Sequence, residues 1–335
     1  MAIDGAVFVS GGGVAGLAAT IAFAQAGFTT LCADPTPPIT TRDDAGADLR
    51  TTAFLQPAKA FLEEIGLWQA FAPHATPLQV MRIVDAGGTT PEPRATHDFN
   101  AADISDQPFG WNLPNWLLRR EMVTHIATLP NATFRPGTAT AHVLTRQREA
   151  RVTLSDGARL RAKLIVAADG RHSPVREAAG ITVKTTRYGQ KALAFAVTHT
   201  APHNNVSTEI HRSGGPFTLV PLPDHEGQPC SAVVWMERGP EATRLAALPE
   251  ASFEAEMSAR SADLYGPLTL ASRRTLWPIV SQIADQMTSE RVALVAEAAH
   301  VVPPIGAQGL NMSLADIAAL LEIAQANPDD PGALQ

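Results

Sequence analysis

Basic charge is what this chain has least to spare: 26 lysines and arginines stand against 33 acidic residues, a formal net charge of -7. A nucleic-acid partner needs a basic stripe and a polybasic membrane anchor needs clustered cations, so the sequence argues against both. Cysteine is nearly absent. Cys32 and Cys230 lie in apolar, strand-like contexts, TTLCAD and PCSAVVW, and read as small buried hydrophobes in a reducing compartment, not as a disulfide. There is no internal repeat and no low-complexity tract. His199 and His203 have H-x-x-x-H spacing but no third ligand of matching context, so no metal site is expected. Charge of either sign is missing from Ala6 to Phe28, where a secretory signal or a membrane span is the competing reading. Asp4 stands where a positive n-region should be, Arg42 is the first basic residue, and SGGG interrupts the run, so a cytoplasmic protein is expected. With 335 residues the chain exceeds the roughly 250 to 300 that one core usually fills, and two interleaved or consecutive domains follow.

What is present begins with GAVFVSGGGVAGLAATIAFAQAGFTTLCAD. Its apolar run, glycine cluster, Ala-rich helical stretch and second short strand make a βαβ unit. Gly11, Gly13 and Gly16 fit G-x-G-x-x-G at the strand-to-helix turn, with Ala15 beside them. The first glycine permits the tight turn, the second lets a pyrophosphate approach the backbone, and the third lets helix and strand pack closely. Asp34, at the end of the second strand, is placed to take ribose hydroxyls. That carboxylate favours an NAD-like or FAD-like nucleotide over an NADP-like one, and does not choose between the two.

Two later strand exits add to this. AADGRHSPVR ends an apolar strand in Asp169-Gly170, a tight turn with a fixed carboxylate; AEAAHVVPPIGAQGLN follows the strand RVALV and leads into an apolar helix. In order and spacing the three exits resemble the fingerprints of single-component flavin aromatic hydroxylases, the group typified by para-hydroxybenzoate hydroxylase. DLRTTAFL (residues 48–55), GGPFTLVPLP (residues 214–223) and PPIGAQGLN narrow the resemblance to the ubiquinone-biosynthesis FAD-dependent hydroxylases (UbiH/UbiF type), over essentially the whole chain.

The resemblance implies FAD as cofactor and NAD(P)H as reductant. Gly11, Gly13 and Gly16, with Ala15, would cradle the pyrophosphate and Asp34 would hold the adenosine ribose. Arg50 and Arg119 would contact the cofactor, Asp169 and Gly170 would serve FAD and help NAD(P)H, and Glu297 would reach the ribityl or phosphate region. Pro304, Gly306, Gly309, Leu310 and Asn311 would lie along the flavin ring. Reduced flavin carries negative charge, and the helix that follows the loop offers its N-terminal N–H groups to it. One departure is visible: Ala296-Glu297 stands where the family usually has Gly-Asp, which keeps the carboxylate and loses a glycine. The family's chains also run on beyond the helix with which this sequence ends. His300 invites a catalytic role, but a buried, hydrogen-bonded histidine is the expectation, and no catalytic acid or base is named.

The fold class expected is α/β: a Rossmann-like FAD-binding domain, assembled from residues 1–75, 100–180 and 275–335, with an inserted antiparallel β-sheet substrate domain from residues 76–99 and 181–274. Strands are read from the alternation at residues 77–88 and 191–235, and helices at 14–26, 56–66 and 116–128, the last with Leu118, Met122 and Ile126 on one face. In the resembled family the sheet roofs the active site. NAD(P)H reduces the flavin, O2 adds to it, and an oxygen atom passes to an electron-rich, hydrophobic aromatic ring, a polyprenylated phenol. A reductase of a hydrophobic substrate and a non-catalytic accessory protein are the alternatives. A peripheral contact with the inner membrane or with a quinone-biosynthesis complex, and self-association, stay open at this stage.

Overall fold

The charge-free stretch near the N-terminus folds as strand, turn and helix. In the computed structural model, which describes residues 3–39, 41–42, 44–88, 90, 92–212 and 214–334, the strand Ile3–Ser10 lies at the centre of a parallel sheet. Arg159–Ala167 pairs with it on one side and Thr30–Asp34 on the other. Val292–Leu294 and Ala132–Pro136 extend the parallel ladder outward, and a hairpin, Thr140–Arg146 with Glu149–Leu154, joins it antiparallel. The helix Val14–Gln25 connects the first two strands and is apolar on every side, so Ala15 to Ala24 are all buried against the sheet and against the helices Asn115–Ile126 and Gln308–Ala326. Among the described residues no helix is long and apolar enough to cross a membrane.

The second sheet has nine strands and supplies the roof. Its order runs His300–Val301, Thr275–Ala284, Val183–Thr198, Gln228–Arg238, Gly215–His225, Val206–Arg212, Val80–Asp85, Ala95–Asn100, with Thr269–Leu270 beside Val183–Thr198. Pairing is antiparallel except that Val206–Arg212 runs parallel to Val80–Asp85. Successive side chains of a strand point to opposite faces, and here the two faces differ in bulk. Leu193, Phe195, Val197, Phe217, Leu219, Val233 and Trp235 form a core with Ala242 and Leu245 of Gly239–Ala247 and with Phe253 and Met257 of Glu250–Arg260. The alternate positions, Ala192, Ala194, Ala196, Cys230, Ala232 and Val234, are small and turn the other way, toward the nucleotide-type sheet.

Two boundaries differ from the sequence reading. Residues 77–88 are not one strand: Thr76–Leu78 joins Gly110–Pro114 and Thr51–Leu55 in a small third sheet, while Val80–Asp85 enters the second, with Gln79 between them. Thr275–Ala284, placed with the nucleotide-binding segments from sequence, pairs along Val183–Thr198 in the second sheet, because its extended run finds a free edge there. The third sheet is tied to the second: Asn112 donates from Nδ2 to the Pro221 carbonyl at 2.9 Å. The helices Gln56–Glu64 and Asn115–Ile126 fall where the periodicity puts them, with Leu118, Met122 and Ile126 buried.

Candidate active site

At the first strand exit the backbone is closely packed. Gly11 has φ +103°, and a Cβ there would lie 2.7 Å from the Ala168 carbonyl carbon. A Cβ on Gly16 would fall onto the Gly11 carbonyl oxygen, with the carbonyl carbon at 2.9 Å. Gly12, which the motif leaves unspecified, is equally constrained: its Cβ would meet Phe134 Cε2 at 2.8 Å and Asp34 Cβ at 2.9 Å. Gly13 is different. It caps Val14–Gln25 with an ordinary φ of -70°, makes no side-chain cap, and a Cβ on it would meet nothing within 4 Å. Its lack of a side chain leaves the helix N-terminus open. Asp34 is fixed by two backbone donors, Gly12 N to Oδ2 at 2.6 Å and Thr36 N to Oδ1 at 2.7 Å.

The second exit holds Asp169 in a buried turn. Its Oδ2 accepts from Ser10 Oγ at 3.2 Å and from Val175 N at 3.3 Å, while Oδ1 is buried without a partner. Burial raises its pKa above the usual carboxylate range, against the opposing pull of those hydrogen bonds. Gly170 follows at φ +86°. The buried Arg176 ties this turn to the third exit, donating Nη1 to the Ala298 carbonyl at 2.9 Å and Nη2 to the Arg171 carbonyl at 2.8 Å. Arg171 in turn lies 3.4 Å from Glu297 Oε2, so the carboxylate that replaces the family's aspartate faces a cation across the cavity mouth.

Ala296, at the lost glycine, has φ +53°. An alanine held in the left-handed region costs about 1–2 kcal/mol, and glycine gives back about 0.4–1 kcal/mol through the unfolded chain. Ala296→Gly is therefore expected to stabilise the protein by about 0.5 kcal/mol net and raise Tm by about 1 °C in a thermal melt. A lower Tm would mean that packing of the methyl group outweighs the backbone strain.

Arg50 is gripped by Asp48 through Nε–Oδ1 at 2.8 Å and Nη2–Oδ2 at 2.7 Å, and its guanidinium sits 4.5 Å over the Trp277 ring of the second sheet. Burial alone would raise the Asp48 carboxyl; the guanidinium and an Asn115 Nδ2 bond at 3.0 Å hold it below its ordinary range. Arg119 lies nearby on Asn115–Ile126 and its Nε is buried with no partner. At the third exit Pro303 and Pro304 lead to Ala307, at φ +55°, which caps Gln308–Ala326. His300 is buried, with Nε2 2.5 Å from Asp316 Oδ2 on that helix. The His199 and His203 rings pack edge to face, 6.2 Å between centroids, and each is spent on its own bonds: His199 on Ser231 Oγ and the Ala201 carbonyl, His203 on the Leu222 carbonyl.

A cavity of about 590 Å³ gathers most of these residues. Gly13, Ala15, Gly16, Arg50, Arg119, Gly170, Glu297, Pro304, Gly309 and Leu310 line it, together with Arg171, Trp277, Ala192, Ala194, Ala232 and Val234, which the sequence reading did not single out. Gly11, Asp34, Asp169 and Gly306 stand outside the lining. Asn311 also stands outside, and its amide is spent on structure: Oδ1 accepts from Leu55 N at 2.9 Å, and Nδ2 donates to the Ala53 and Ala307 carbonyls at 2.8 and 2.6 Å. One end of the cavity thus offers a helix N-terminus, an unpartnered Arg119 Nε and a second arginine, which fits the phosphates of a dinucleotide. The other end is walled by small apolar side chains of the second sheet, room for a flat ring system and a hydrophobic substrate.

A sequence profile described as the FAD binding domain matches residues 4–325. The ubiquinone hydroxylase UbiL of Rhodospirillum rubrum is 36% identical over 333 residues, covering 98% of this chain and 74% of that protein. The 3-demethoxyubiquinol 3-hydroxylase of Escherichia coli is 27% identical over 95% of this chain and 78% of its own. Among solved structures, Pseudomonas aeruginosa PqsL in complex with 2-aminobenzoylacetate superposes with a TM-score of 0.82 at 21% identity, over 98% of this chain and 90% of that one. The p-nitrophenol 4-monooxygenase PnpA of Pseudomonas putida gives 0.79 at 21% identity, over 99% and 82%, and shares the fold. The chain belongs to the FAD-binding family that contains the ubiquinone hydroxylases, and is an FAD-dependent aromatic monooxygenase that uses NAD(P)H and O2.

Proposed function

We propose that this protein hydroxylates the ring of a polyprenylated phenol on the way to ubiquinone, with the FAD-binding segments and the inserted sheet acting as two units around one site. The observation that carries the reading is the 590 Å³ cavity in which the open N-terminus of Val14–Gln25 and an apolar sheet face meet. Gly13, Ala15 and Gly16 would hold the pyrophosphate, with Gly11 shaping the turn, and Asp34 would hold the ribose. Arg50, beside Trp277 of the roof, and Arg119, on Asn115–Ile126, would meet the cofactor, Asp169 and Gly170 would frame the nucleotide, and Glu297 would bound the ribityl region. Pro304, Gly306, Gly309 and Leu310 would bring the start of Gln308–Ala326 toward the ring, with Asn311 acting through its clamp on Ala53 and Leu55. When bound, FAD supplies hydride uptake from NAD(P)H and activation of O2, one atom of which goes to the substrate ring and the other to water.

The chain's own part is orientation and exclusion of water. The helix start faces developing negative charge, and the sheet wall of Ala192, Ala194, Ala232 and Val234 keeps the reacting end dry. An apolar tail on the substrate makes the membrane surface the place of encounter, a peripheral contact. The test is turnover of a short-chain prenylphenol with FAD, NAD(P)H and isotopically labelled O2. One labelled oxygen in the product is expected; a product without label would point instead to a flavin reductase.

A further inference from the structure

A second cavity, of about 280 Å³, lies beyond the first and shares Leu49 and Thr51 with it. The floor is continuous as well. On the face of the second sheet that looks toward the nucleotide-type sheet, Ala194 stands opposite Val234, Ala196 opposite Ala232, and Thr198 opposite Cys230, which itself stands opposite Leu222. The first of these rows lines the first cavity, Ala232 lines it too, and Ala196, Cys230 and Leu222 line the second. Four residues along a strand are about 14 Å, and over that length this floor carries no ionisable side chain except the Cys230 thiol, whose pKa burial pushes up to about 11. Pro73, Trp116, Leu117 and Pro223 wall the second cavity, and polar groups appear at its end.

Arg42 and His225 among them are engaged with each other. Arg42 points Nη1 at His225 Nδ1, 2.7 Å away, and donates Nη2 to the Ala271 carbonyl at 2.9 Å. An anionic ligand would have to break these bonds, whereas an uncharged chain passing between apolar walls would leave them intact. We infer that the second cavity takes the apolar chain of the substrate, threaded along the alanine rows while the ring stays in the first cavity. The inference rests on the proposed hydroxylation of a prenylated phenol and adds where the chain goes.

Leu222 lines the second cavity and not the first, so Leu222→Trp puts its added bulk into that space. The holoenzyme would be compared on two phenols with the same ring, one carrying a methyl group and one a chain of several isoprene units. For Leu222→Trp, kcat/KM is expected to fall about tenfold or more on the long-chain phenol and to stay within about twofold on the short one. Equal loss on both substrates, or no loss on either, would overturn the inference. Binding is followed independently through the change in flavin absorbance on adding each phenol. If the unsubstituted enzyme binds both phenols and hydroxylates neither, the functional reading fails. The passage then stands or falls on whether Leu222→Trp weakens binding of the long-chain phenol alone.

Discussion

Gly16→Ala is expected to lower the Tm of the flavin-free chain by about 2–6 °C and to leave no flavin after desalting. The added methyl group would land on the Gly11 carbonyl oxygen, and the nearest side chain, Ala168 Cβ at 3.2 Å, leaves it no room to turn aside. The obstructing atoms are backbone of the central strand's exit, so helix and strand must part. Overpacking of this kind costs about 1–3 kcal/mol or more, and in a chain of this size each kcal/mol is worth about 2 °C. Thermal melts of the apo form, with the visible spectrum before and after desalting, measure both effects. An unchanged Tm would show that Val14–Gln25 can move off the strand freely, and the close-packing role of this glycine would be wrong.

Gly13→Ser should separate what Gly16→Ala combines. Gly13 has ordinary backbone angles and open space beside it, so the fold itself makes no demand for glycine there. Serine is a better helix N-cap than glycine by a few tenths of a kcal/mol, and the apo Tm should stay level or rise slightly. FAD affinity should nevertheless fall about 10- to 100-fold. The hydroxyl would take the N–H groups that the helix offers to the pyrophosphate, and one charge-assisted hydrogen bond is worth about 1.5–3 kcal/mol. Fluorescence titration of the apo chain with FAD gives the affinity. If Gly13→Ser binds FAD as tightly as the parent chain, the pyrophosphate does not approach at Gly13.

The contrast between these two glycines shows how far a sequence can be read. Spacing marked Gly11, Gly13 and Gly16 because each serves local geometry over a few residues, and local geometry leaves periodic traces. The βαβ unit, the three strand exits and the buried face of Asn115–Ile126 were legible for the same reason. Gly12 was not, since the atoms that exclude a side chain there belong to Phe134 and Asp34, one of them more than a hundred residues away. Alternation marks residues 77–88 and 191–235 as strands but not their partners, because period 2 names a face and leaves the neighbouring strand unspecified. Asn311 is the sharpest case: the loop motif drew it toward the cofactor, and the structure spends its amide on the edge of Thr51–Leu55. Trp277 was silent in sequence; only the pairing of Thr275–Ala284 with Val183–Thr198 brings it under Arg50.

The two unequal faces of the second sheet divide labour by parity. Along Val183–Thr198, residues 193, 195 and 197 are anchored in the core beneath the covering helices, whereas 192, 194 and 196 are alanines on the opposite face. Every strand thus carries two interleaved messages, one read by the interior and one by whatever lies in the cavities. Ala194 and Val234 bear on the wall of the first cavity, whereas Leu193 and Val197 bear on the core beneath the helices. Such a sheet can drift in the length and girth of the molecule it accepts through single substitutions at those wall positions.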